Sequence, residues 1–125
     1  MDERLGRERR IRSRKDIRLV FARGRSLYRG RVLTVLMVPR EGDGRCAVVV
    51  GKKSGKAHER NRIKRVTREF YRRCRTLFPG LDLVFQVKAR RPVDEALLAE
   101  DLRETTQRAG DVVRKPMPEH RSTDD

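Results

Sequence analysis

Histidine, cysteine and closely set carboxylates build most metal centres and nucleophilic sites, and here they are few or scattered. The two cysteines, Cys46 and Cys74, form no Cys-x-x-Cys pair and no Cys/His ligand spacing, which argues against zinc. Each fits an apolar pattern, strand-like at Cys46 and helix-like at Cys74, and they read as buried free thiols of a reducing cytosol. His58 has no second histidine four residues on, and His120 lies close to the C-terminus. The carboxylates are dispersed, with no close pair suited to holding metals for hydrolysis. Glu41 and Asp43 fall in a glycine-containing turn, "REGDG", and read as solubilising. Long apolar runs are missing too. The longest, "VLTVLMV", is far short of the ~20 residues that cross a bilayer. The opening "MDERLGRERR" lacks the apolar segment of a secretory signal. Zinc proteins, membrane spans and self-sufficient metal nucleases are thereby disfavoured.

What the chain has is positive charge. Its 125 residues, enough for one small domain, carry 33 Lys and Arg against 18 Asp and Glu, a formal net charge of +15. The excess is uneven: residues 1–80 hold 25 basic and 8 acidic side chains, whereas residues 81–125 hold 8 and 10. A surface so charged repels itself and calls for a polyanionic partner, which points to nucleic acid.

The apolar pattern divides the chain into a flexible basic N-terminus (1–12), one RNA-binding domain (13–110) and a disordered, Pro- and charge-rich tail (111–125). Ser13 is the N-cap of a first helix, Ile17, Val20 and Phe21 form its stripe, and Gly24 suits the C′ position. Residues 31–38 and 45–51 read as strands joined in a hairpin through residues 40–44, with a short strand near 26–28 before them. A central helix runs from about His58 to Thr76 and ends at Pro79-Gly80. Residues 82–89 form a strand able to join the sheet parallel to a hairpin strand. A last helix starts at the N-cap Asp94 and stops at Gly110. The predicted fold is α/β, a two-layer sandwich in the order α-β-β-β-α-β-α, with one mostly antiparallel four-stranded sheet packed with helices.

The stretch "GKKSGKAHERNRIKR" (51–65) begins like a phosphate loop. A P-loop needs G-x-x-x-x-G-K-[ST]. Gly51 and Gly55 are one residue too close, and Ala57 stands where the Mg²⁺-binding hydroxyl belongs. At 100° per residue, Val66, Thr67, Phe70, Cys74 and Leu77 fall beside Ile63. Asn61, Lys64, Arg65, Arg68, Arg72 and Arg75 fall on the other side. Solvated helix faces usually mix charge signs, and this arc does not. Arg binds phosphate bidentately, Lys binds it as a point charge, and Asn can meet a 2′-hydroxyl or a base edge. Lys52, Lys53 and Lys56 extend the track through the loop. The stretch therefore reads as a path for a nucleic-acid backbone.

The segment "GKKSGKAHERNRIKRVTREFYR", with "ERNRIKRVTRE" at its centre, closely resembles the signature of the protein subunits of bacterial ribonuclease P. The helix "SRKDIRLVFARGRS" is similar to that family's first helix, and the resemblance spans roughly residues 5–110. It implies a subunit of an endoribonuclease with no catalytic residue of its own. The RNA subunit would cut the 5′ leader from precursor tRNA with Mg²⁺, in the cytoplasm. It further implies RNA contacts at Lys53, Arg60, Asn61, Arg62, Lys64, Arg65 and Arg68, and a cleft for the single-stranded leader lined by Ile17, Phe21 and Val35. Family members often carry aromatics where Ile17 and Val35 stand. The implied partners are the catalytic RNA and the precursor leader, with no membrane and no small-molecule substrate. A basic ribosomal or ribosome-assembly protein is the competing reading, since composition and a basic helix fit both. The Asn61-centred motif after a Gly/Lys loop favours the first.

Overall fold

The computed structural model describes residues 9–114, with side chains to residue 109. In chain order the elements are α1 (Arg14–Arg23), β1 (Arg25–Arg29), β2 (Leu33–Pro39), β3 (Arg45–Val50), α2 (Ala57–Cys74), β4 (Leu81–Val87) and α3 (Glu95–Arg114). Single 3₁₀ turns at Lys52–Ser54 and Arg75–Leu77 flank α2. This is the expected mixed fold of one four-stranded sheet packed with three helices.

The sheet order is β1-β2-β4-β3, so the expected β2–β3 hairpin does not form. β4 lies between them, antiparallel to β2 and parallel to β3 across the α2 connection. Burial explains its place. Leu83, Val84, Phe85 and Val87 are each fully covered, and a strand apolar on both faces belongs in the interior of a sheet. The 40–44 loop bridges the gap by running over the start of β4. Arg40 N–H donates to Gly80 O at 2.8 Å, and a Cβ on the buried Gly44 would lie 2.6 Å from Leu81 O. Only glycine fits so close a crossing.

Both sheet faces are covered, unequally. Under α2 and α3 lies the main core, with Leu33, Val35, Met37, Cys46, Phe85, Ile63, Tyr71, Leu98 and Leu102 among its members. Tyr71 rests on Phe78 and meets Phe85 edge-on. α1 covers the other face over a smaller cluster of Ile11, Val20, Ala47 and Val84. Leu36, Val38 and Val49 remain half-buried beside it.

Helix ends follow local chemistry. Ser13 Oγ accepts from the N–H groups of Lys15 and Asp16 at 3.1 and 3.3 Å, as an N-cap should. Gly24 closes α1 with extended backbone (φ −71°) rather than the left-handed C′ geometry expected for it. Asp94 Oδ1 accepts from Ala96 and Leu97. Gly110 does not stop α3, which continues to Arg114. One glycine costs about 1 kcal/mol in a helix interior, too little to end a helix already packed through Leu98, Leu102 and Ala109. The expected tail loses its first four residues to this helix, and residues 115–125 lie outside the described part. At the other end, residues 9–12 are attached rather than loose: Arg10 bridges Cys46 in parallel, and Ile11 N–H donates to Cys46 O at 2.8 Å. Residues 1–8 lie outside the described part.

Candidate nucleic-acid interface

The loop before α2 is a rigid device. Ser54 is fully buried, donates to Ala89 O at 3.0 Å and accepts from Ala89 N–H at 3.1 Å, pinning the loop to the end of β4. Gly55 holds φ 131°, a conformation that side chains other than hydrogen rarely adopt. Glu59 Oε1 accepts from Lys56 N–H at 2.6 Å, closing the first turn of α2. Arg60 donates to the carbonyls of Lys52 and Gly55 at 3.3 and 3.2 Å. These ties leave Lys52, Lys53 and Lys56 exposed on a fixed backbone.

The motif side chains sort into three groups. Asn61 and Arg65 point to solvent at the crest of α2, with Lys64 half-buried beside them. Arg60, Arg62 and Arg72 are held by protein partners: Arg60 by the loop, Arg62 by a two-pronged pair with Glu95 (2.6 and 3.1 Å), Arg72 by Glu69 (3.0 and 2.7 Å). Arg73 reaches the same Glu69 at 2.8 Å, and the two arginines hold its carboxyl down at about 2. Arg68 is half-buried toward β3. Desolvation first, and the neighbouring Arg10 second, lower its pKa.

The buried stripe of α2 is Ile63, Thr67 and Tyr71, rotated from the one periodicity suggested. Phe70 is only half-buried, edge-on to Phe85 at 6.3 Å, and with Val66 it floors a hollow rimmed by Arg62, Arg65 and Arg73. Leu77 is exposed. The sequence could not separate Phe70 from Tyr71, because adjacent aromatics both border one apolar stripe. Lys88 and Arg90 were also missed. The end of β4 brings them to Lys52 and Lys53 around a hollow of about 580 Å³. Their signal was the basic run "KARR" directly after a strand.

Of the three cleft residues, two lie on α1 and one is misplaced. Ile17 is half-buried in the α1 cluster, and Phe21 is 40% exposed. Val35 is fully buried in the main core, on the opposite sheet face. Alternation along β2 puts Leu36 and Val38 on the α1 side instead. α1 is oriented by Arg45, which pairs two-pronged with Asp82 at 3.1 and 2.7 Å and lies 3.7 Å from Asp16. Among the described residues no group of three or more His, Cys, Asp or Glu side chains could hold a metal ion, and no helix is long and apolar enough to cross a membrane.

A one-sided basic helix, set on a small α/β sheet behind a pinned Lys-rich loop, defines an RNA-binding protein. The chain belongs to the Ribonuclease P family, whose profile matches residues 5–110. It is 38% identical over 100 residues to a ribonuclease P protein component of Chlamydia pneumoniae, covering 77% of this chain and 71% of that one. It is 36% identical over 85 residues to that of Thermotoga maritima, covering 67% and 73%. The solved RNase P protein of Thermotoga maritima superposes with a TM-score of 0.64 at 29% identity, covering 87% of this chain and 98% of that one. That of Staphylococcus aureus shares the fold, with a TM-score of 0.61 at 20% identity over 85% and 93%.

Proposed function

We propose that this chain binds the catalytic RNA of ribonuclease P through the crest of α2 and the Lys52–Ser54 turn, and that it guides the single-stranded 5′ leader of precursor tRNA along α1. The observation that carries the reading is the fixed, exposed row of Lys52, Lys53, Lys56, Asn61 and Arg65 on rigid backbone. Preorganised cations bind a phosphate backbone without first ordering themselves. On this reading, which follows the family resemblance, the metal and the bond-breaking step belong to the RNA. The protein's share is binding: neutralising phosphates, and offering Ile17, Phe21, Leu36 and Val38 as an apolar rest for leader bases. This work takes place in the cytoplasm. The test is reconstitution with a bacterial ribonuclease P RNA and a precursor tRNA at low Mg²⁺. Addition of the protein should raise cleavage at the mature 5′ end, and the protein alone should cut nothing. No stimulation, or turnover without RNA, would overturn the reading.

A further inference from the structure

Arg10 and Arg68 come together where the N-terminal segment meets α2. Arg10 is the ladder partner of Cys46, and paired residues in a sheet share a face. Cys46 belongs to the core under α2, while the next residue, Ile11, joins Ala47 on the α1 side. The Arg10 side chain therefore lies on the α2 side of the outer edge of β3. Arg68 leans toward the same strand, and both charges act on the Cys46 thiol. The neighbouring arginines are matched with acids, Arg9 with Asp43 and Arg45 with Asp16 and Asp82. No salt bridge among the described residues reaches Arg10 or Arg68. The Arg10 Nε is buried with no hydrogen-bond partner.

Two neighbouring guanidinium groups that pair with no acid among the described residues, one carrying an unmade hydrogen bond, are costly to fold. An anion with several oxygens would supply what both lack. We propose that Arg10 and Arg68 together clasp one backbone phosphate of the bound RNA, making the N-terminal segment part of the interface. Arg68 sits one turn beyond Lys64 and Arg65 on α2, so a phosphate held there continues the same backbone track. Arg10 as a whole is half-buried, so its guanidinium can turn outward to meet the phosphate with the N–H it leaves unpaired. The clasp rests on the RNA-binding reading above.

The test uses the full-length protein with Arg10→Gln, Arg68→Gln and the double variant, titrated against a bacterial ribonuclease P RNA over a range of salt. Each single change should weaken binding about tenfold, in keeping with loss of one charge-assisted contact. The double variant should be little worse than either single, because both residues serve one phosphate. Thermal melting without RNA should show no loss of stability, since each substitution removes like-charge repulsion. Arg10→Lys, which keeps the charge and loses the fork, should recover part of the affinity. Unchanged affinity and salt slope in Arg10→Gln, or multiplicative losses in the double variant, would overturn the clasp. Melting shifts with inorganic pyrophosphate separate the sources: stabilisation lost in both variants while RNA affinity stays intact would mark a free-anion site and also overturn it. Wild-type protein that fails to bind the RNA would sink the functional reading as well, whereas normal wild-type binding with a harmless Arg10→Gln sinks only the clasp.

Discussion

Phe21 is the residue whose role sequence alone divided most evenly between core and ligand contact. Helical spacing put it on the same stripe as Val20, yet Val20 is buried and Phe21 stays 40% exposed. A ring so exposed on α1 is free to stack on a base. Phe21→Ala should therefore weaken holoenzyme binding of a leader-bearing precursor by about 5- to 150-fold, the value of one base–aromatic stack. Binding of mature tRNA should hardly change, and Phe21→Leu should lose less. Equal losses for both substrates would return Phe21 to a structural role. The thiols give a second test at this scale. Burial pushes Cys46 up to about 12 and Cys74 up to about 11, so neither forms appreciable thiolate at pH 8. A thiol reagent at that pH should label neither in the native protein and both after unfolding, and rapid native labelling of Cys46 would contradict its placement in the core.

At the scale of elements, the sequence located nearly every helix and strand but not the strand order. Val35 was assigned to the cleft by the family resemblance alone, and "VLTVLMV" is so uniformly apolar that alternation could not check which of its residues face α1. The apolar run Leu83, Val84, Phe85 and Val87 marks β4 as an interior strand, but hydrophobicity does not say which strands flank it, so the hairpin reading was left standing. Other ties are polar and long-range. Asp101 on α3 is buried and accepts from Tyr28 Oη (2.9 Å), Val32 N (2.9 Å) and Leu33 N (3.1 Å), fastening α3 to the β1–β2 turn. A lone aspartate in a helical pattern gives no hint of that. Asp101→Ala should cost on the order of 3 kcal/mol in chemical denaturation, since it strands buried donors. Packing gives a matched pair: Phe85→Ala, from a fully buried ring in β4, should cost about 3–5 kcal/mol, and Phe70→Ala, from a half-open ring, distinctly less. A reversed order would mean that α2 is rotated about its axis.

For the whole molecule, the charge asymmetry visible in the sequence becomes a geometric one. The motif "ERNRIKRVTRE" was legible because its residue types and spacing are unusual. Which of its arginines face outward was not, because that depends on Glu95, Glu69 and the loop carbonyls, brought near by the fold. Glu69 also carries a pH signature. Its carboxyl is lowered to about 2 by Arg72 and Arg73, so its contribution to stability is complete above the unfolded value near 4.5 and is lost as pH falls through about 2. The gap in melting temperature between wild type and Glu69→Gln should narrow across that window and stay constant from pH 5 to 7. The central claim, that the outward crest of α2 binds an RNA backbone, is tested most directly by the salt dependence of ribonuclease P RNA binding in wild type and Arg65→Ala. With fold confirmed by circular dichroism, Arg65→Ala should bind more weakly, and the slope of log K against log salt should be shallower by about 0.7–0.9, the loss of one phosphate contact. Unchanged affinity and slope in a folded Arg65→Ala protein would contradict it.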